Sequence, residues 1–401
     1  MILKCSEFAS LGQTKDRWCK KEIAARPSLP FDAHMSISAI DGLRARRPHL
    51  FQSPEFWRSR WEHVVRQAES VACGQAQEIG ESASGRKIPA FFYGAFEPVS
   101  PTATISSAMA SDRPGAFYAP SQRKTLSLAL IGSIHGGETE GIACCLSLLR
   151  LLETGRDWRG QPRPALLDKM SRVRLSIVPC LNPDGRIAAG VDHLCGGELE
   201  DLFLVQQGLL ADGTLFRGRK IKETQPIPPG MLQFMGGYYN AAGVNLQHDD
   251  FLGPEIAPEN RAIQKMFRRE IPDAFLTMHA HGARAAFLAP DGLLPPGYQR
   301  KQTGAVGFIL GEMHRQGIPF LASEDITTPP WSFYFQVWLH FMTGATPLLF
   351  EFSHGLAMQP ASLEQIMETG YCVFEAWLDY NLAFSPRPAT PDLFGATTPA
   401  A

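Results

Sequence analysis

The sequence predicts an α/β fold built on a mixed, largely parallel sheet. Near-continuous apolar runs at Leu126–Ile134, Val173–Val178, Ala274–Met278 and Pro347–Phe352 read as strands buried on both faces. Stretches with helical spacing lie between them, at Glu259–Glu270, Thr303–Gln316 and Ser362–Leu382. The chain has 401 residues, 44% of them hydrophobic, which suffices for one large domain with extensions.

Taken in order, residues 1–52 show no sustained periodicity and contain an Arg-rich patch around Arg44, Arg46 and Arg47, so an irregular extension is expected. Ser53 as cap and Pro54 in the first turn predict a helix that runs to Gly74. Trp57, Trp61, Val64, Ala68 and Val71 would form its buried face. Two strand-like runs, Ala76–Ile79 and Ile88–Tyr93, flank a segment rich in turn formers, Glu81 to Arg86. Residues 96–123 are rich in Ser, Ala and Pro and read as a loop. Ile142, Leu146 and Leu149 mark a helix that packs back on the 126–134 run. The Pro/Thr/Ala-rich tail, 383–401, is expected to be loose, which leaves 53–382 as the domain.

Composition excludes several classes. Lys plus Arg number 38 against 40 Asp plus Glu, a net charge of −2 that argues against nucleic-acid or polybasic membrane partners. The apolar runs are too short to span a bilayer. The eight cysteines include no Cys-x-x-Cys pair, so neither a cysteine zinc site nor a dithiol motif is expected. Scattered cysteines suit a reducing compartment, and the first residues lack a signal-peptide core, so a cytoplasmic location is expected.

In open α/β sheets, ligands bind beyond the C-terminal ends of the strands. There the sequence places His135-Gly136-Gly137-Glu138, the turn Asn182-Pro183-Asp184-Gly185-Arg186, His279 and His281, and Glu351. Two imidazoles and one carboxylate with an open fourth position form the donor set of a catalytic zinc. The paired glycines would let the backbone turn so that His135 and Glu138 converge. Alone, a His-x-x-Glu pair is more often a loop histidine and a helix-start glutamate. Glu351 stands between Phe350 and Phe352, where a carboxylate is costly to bury and its pKa tends to rise; a structural ion pair is the alternative.

These residues, taken with the segments Ile79–Ile88 and Gly243-Val244-Asn245-Leu246-Gln247-His248, resemble the zinc metallocarboxypeptidase family, carboxypeptidase A-like, over roughly residues 53–382. The resemblance implies a mixed eight-stranded sheet flanked by helices. It makes His135, Glu138 and His279 the ligands of one zinc ion per chain, with Glu351 as general base toward a metal-activated water. His281 competes with His279, since residues two apart on a strand share a face; His279 directly follows the apolar run, as the family ligand does. Arg217, between Phe216 and Gly218, is the expected oxyanion arginine, against a solvated alternative. Asn182 and Arg186 are candidate substrate contacts; Asn182 and Asp184 could instead build a turn, and Arg186 could be solvated.

One departure bears on specificity. Gln247 and His248 stand where the family has Asn-Arg, and histidine offers no bidentate fork for a C-terminal carboxylate. Asp249 and Asp250 follow and would disfavour an anion further. Gln247 and His248 are therefore expected to bind the substrate atypically, and no active-site tyrosine is placed, Tyr334 being the nearest in sequence. The leading expectation is zinc-dependent hydrolysis of a peptide or small amide. The alternatives are an N-acyl amino acid deacylase or amidase, and an inactive binding module of the same fold.

Overall fold

A computed structural model of the chain describes residues 33–110, 123–218, 220–288, 291–321 and 332–384. Among the described residues nine strands form: β1 (Gln75–Glu81), β2 (Lys87–Tyr93), β3 (Leu126–Gly132), β4 (Val173–Val178), β5 (Gly208–Leu210), β6 (Leu232–Met235), β7 (Ala274–His281), β8 (Ala286–Phe287) and β9 (Thr346–Ser353). Seven of them make one sheet in the order β1-β2-β4-β3-β7-β9-β8, and β5 and β6 pair separately. Strands β4, β3, β7 and β9 run parallel, while β1, β2 and β8 join antiparallel at the edges. The sheet is thus mixed and mostly parallel as expected, with seven strands among the described residues rather than eight. The outermost strand next to β9 has only the two residues of β8.

The parallel strands lie in the middle because helices cover both faces, which their unbroken apolar sequence requires. On one face, helices Thr139–Thr154 and Leu363–Ala383 pack Leu146, Leu149, Met367 and Trp377 against Leu128, Leu130 and Leu276. On the other, helices Pro258–Glu270 and Phe335–Thr343 bring Phe267, Phe335 and Leu339 against Ala129, Ile131 and Phe275. No helix among the described residues is long and apolar enough to cross a membrane.

Three expectations need correction. The stretch before residue 53 is not wholly irregular: a helix spans Ala33–Arg46 and a 3-10 turn Pro48–Phe51. Ile40, Leu43 and Leu50 are buried there against Val191, Leu194 and Val205. The next helix begins at Trp61, not at Ser53. Asp192 is the reason. Its backbone oxygen accepts from the Trp57 indole at 2.9 Å and its carboxylate from Arg60 at 2.6 Å, which holds 53–60 in a turn docked across the chain. Within 96–123, residues Ile105–Ala110 form a short helix. The tail beyond Phe384 lies outside the described residues.

One buried carboxylate couples two of these layers. Glu259, fully buried in the first turn of its helix, accepts from the Ala83 amide at 2.8 Å and from Asn240 at 3.0 Å. Burial, with the nearby Asp184 charge, outweighs these bonds and pushes its carboxyl up to about 7.

Two outcomes follow. Leu43→Ala should destabilise the protein by about 2–4 kcal/mol in urea denaturation, because a fully buried leucine is lost; an extension that is merely appended would show no change. Glu259 carries a folded pKa above its unfolded value. Its contribution is therefore present below about pH 4.5 and lost as pH rises through about 7. The stability of wild type relative to Glu259→Gln should fall by about 2–3 kcal/mol between pH 4.5 and 8, and a pH-independent difference would remove the carboxyl from this role.

Candidate metal centre

Strands β3 and β7 are neighbours in register, with Gly132 opposite Met278. Each delivers an imidazole just past that pair: His279 follows at once on β7, and His135 comes after Ser133 and Ile134. The two rings meet edge to face with centroids 5.0 Å apart. Glu138 caps helix Thr139–Thr154 and reaches back between them. Its oxygens lie 2.7 Å from His135 Nδ1 and 3.0 Å from His279 Nδ1. All three side chains are buried, and their ligand atoms lie within 4.8 Å of one another.

The glycines between His135 and Glu138 act differently from expectation. Neither adopts a left-handed φ. A Cβ on Gly136 would come within 2.0 Å of the Arg186 nitrogen, and one on Gly137 within 2.5 Å of the Gln206 side chain. The chain does turn tightly through them, the Glu138 amide donating to the His135 carbonyl at 3.1 Å, but it is the close approach that demands glycine.

The charges at this point oppose burial and then overcome it. Desolvation alone would raise the Glu138 carboxyl, yet the two imidazoles together hold it below the usual carboxylate range. Burial would lower the His279 pKa, and Glu138 raises it instead. His135 Nε2 donates to Asn245 Oδ1 at 3.1 Å, and the same oxygen accepts from the Gln247 amide at 3.0 Å. A donor at Nε2 leaves the Nδ1 lone pair directed at the centre. Glu138 Oε2 and His279 Nε2 are buried without a hydrogen-bond partner. Two imidazoles and a carboxylate whose ligand atoms converge on one buried point fit the donor set of a divalent cation.

Glu351 sits on β9 directly opposite His279 in the pairing register and is half-buried. Burial, aided by the Glu138 charge, pushes its carboxyl up to about 7 against His279, His354 and Lys222. His281 lies outside the cluster, its Nε2 bonded to the Arg284 carbonyl at 2.6 Å.

The remaining expected site residues divide. Asn182 is fully buried as the cap of helix Pro183–Ala189; it accepts from Gly185 at 2.9 Å and donates to the Gly237 carbonyl at 3.5 Å, so its amide is engaged in the turn. Arg186 is buried rather than solvated or open to a cleft, and its guanidinium donates to the carbonyls of Gly136 and Val191. Asp184 is also a turn builder, accepting from Ser82, Ser84, Arg86 and Ala241. Arg217 is exposed, 5.9 Å over the Phe203 ring, and the described contacts give it no place in the metal cluster; Arg219 lies outside the described residues. Gln247 is buried and donates to Gln336 at 2.7 Å.

His248 does reach the site. Burial, Lys222 and the two imidazoles 135 and 279 push its pKa down to about 3, so it is neutral. Of the two acids that follow it, Asp249 is turned away, accepting from the Ala257 amide at 2.7 Å and from Asn260 at 2.8 Å, and Asp250 is exposed. The nearby charge is Lys222, an exposed residue whose segment is fastened by Gln225, which donates to the carbonyls of Asn245 and His248. Sequence reasoning missed Lys222 and Tyr238. Tyr238 lies with its ring 4.1 Å from that of His135, whereas Tyr334 is buried and donates to Asp291. No spacing motif marks either Lys222 or Tyr238; only their place after the Arg217 segment and before Gly243 points toward the cleft.

No family model matches the sequence, and no curated protein is similar to it. Solved structures are similar in fold. The metallo-carboxypeptidase from Burkholderia cenocepacia aligns at 15% identity and a TM-score of 0.52, over 81% of this chain and 70% of that one. That from Pseudomonas aeruginosa, in complex with (2-guanidinoethylmercapto)succinic acid, aligns at 15% identity and a TM-score of 0.50, over 80% of this chain and 68% of that one. This chain has the metallo-carboxypeptidase fold, and a His-Glu-His group able to hold a metal lies within it.

The tautomer argument is testable without turnover. Asn245→Ala should weaken zinc binding about 10–100-fold in chelator competition, since the partner that orients His135 is removed; unchanged affinity would show that Asn245 only shapes the loop.

Proposed function

We propose that this protein is a zinc-dependent hydrolase of peptide or amide bonds, of metallocarboxypeptidase type, with an unusual grip on the far end of its substrate. The convergence of His135, Glu138 and His279, with Glu351 opposite His279, carries this reading. Zinc held by these three residues would supply Lewis-acid polarisation of the scissile carbonyl and a water of lowered pKa.

Glu351 is the proton carrier. A carboxyl raised toward neutrality can take a proton from the attacking water and return it to the departing amine. Asn245 and Glu138 keep both imidazoles from turning. In this reading Arg217, exposed over the Phe203 ring, is not assigned the oxyanion role. At the substrate's far end, His248 is neutral and Lys222 is the cation, so a carboxylate there would meet a point charge rather than a fork. Blocked C-termini and other amides are therefore tolerated better than by an arginine-gripped site.

Elemental analysis should find about one zinc per chain, and His135→Ala should lose it. Glu351→Gln should keep the metal and lower kcat by at least about 100-fold; unchanged turnover would refute its role. On a peptide panel, Lys222→Ala should raise KM about tenfold for free C-termini and leave amidated peptides unaffected. Preference for small N-acyl amino acids would favour the deacylase reading, and a metal-loaded protein inert on every amide would favour the binding module.

A further inference from the structure

A cavity of 430 Å³ opens at the opposite end of helix Thr139–Thr154 from Glu138, about 20 Å away at 1.5 Å per residue. Three arginines line it, Arg58, Arg66 and Arg150, together with His63, Glu153 and Trp158. The guanidinium groups of Arg58 and Arg150 lie over the Trp158 ring, 4.6 and 4.9 Å from its centroid. A guanidinium stacked on an aromatic face keeps its N–H edge available for an acceptor. Arg58 pairs through one terminal nitrogen with the exposed Glu55 at 2.8 Å, but its Nε is buried with no acceptor; no salt bridge to Arg66 or Arg150 is formed among the described residues.

The one carboxylate in the lining is spent. Glu153 Oε1 accepts from Tyr93 at 2.6 Å, and Oε2 from the amides of Ala72 and Cys73 at 2.8 and 2.9 Å. His63 reports the resulting field: burial and the Arg58, Arg66 and Arg60 charges push it down to about 4. Glu55 reaches Arg58 from outside the lining and is largely exposed, so the hollow keeps an excess of positive charge that an anion would join. The volume falls in the range of small-molecule sites.

We propose that this cavity binds a compact oxyanion with two or more negative charges, a phosphate or a polycarboxylate, held by Arg58, Arg66 and Arg150 independently of the metal centre. Calorimetric titration of the full chain at fixed ionic strength, with sodium pyrophosphate and separately with tricarballylate, tests it. Wild type should show a saturable site that Lys222→Ala retains, whereas any weaker carboxylate binding in the cleft should fall in Lys222→Ala. The double variant Arg66→Ala/Arg150→Ala should bind at least tenfold more weakly while its thermal unfolding stays unchanged, both residues being exposed. The anion that binds more tightly identifies the source as phosphate or carboxylate. Loss of binding in Lys222→Ala would move the anion to the cleft and overturn the proposal. So would equal affinity in the double variant, or no saturable binding.

Discussion

Glu138 holds a carboxylate out of water between two rings, and the architecture around the cleft follows from that. Stripping water from one ion costs several kcal/mol even after relaxation. The cost is offset only if both imidazoles arrive at hydrogen-bond distance, and they come from different strands. That requires β3 beside β7 in a register that ends both together. It requires Gly136 and Gly137, because any side chain there would drive the Glu138 turn away from Arg186 and Gln206. It also requires Asn182 and Arg186 to spend their polar groups on backbone, since the Asn182–Arg186 turn is the wall against which Gly136 rests.

This explains which residues were legible beforehand. Strand cores such as Leu126–Ile131 and Val173–Val178 announce themselves because burial on both faces demands unbroken apolar sequence. The donor set was legible because strand ends are where a sheet exposes function. Asn182 and Arg186 show the limit: sequence places a polar residue near a cleft but does not show that its hydrogen bonds go to backbone. Trp57 shows the same for structure. Its helical spacing is real, yet a tie to Asp192, 135 positions away, overrides it. Helix Ala33–Arg46 was hidden because Gly42 interrupts it and only Ile40 and Leu43 among its described side chains are buried.

The cleft's electrostatics were least visible in sequence. Asp249 and Asp250 stand beside His248 in the chain, but Asp249 is turned to Ala257 and Asn260. Lys222, 26 positions earlier, faces His248 instead because Gln225 binds the His248 turn. Charges along a loop alternate direction, so neighbours in sequence are poor guides to the field at one atom.

A second acid completes the arrangement from behind. Glu140, two residues beyond Glu138, is wholly buried and accepts from His354 Nδ1 at 2.9 Å. Burial would lower the His354 pKa, and Glu140 raises it instead. Buried ion pairs add little net stability, but they admit few alternative geometries. This one joins the start of helix Thr139–Thr154 to the segment just past β9. The helix carries Glu138 and the strand carries Glu351, so the pair sets the spacing between the group that would hold a metal and the group that would move a proton. One turn of helix therefore aims one carboxylate forward into the centre and anchors the other backward in the core.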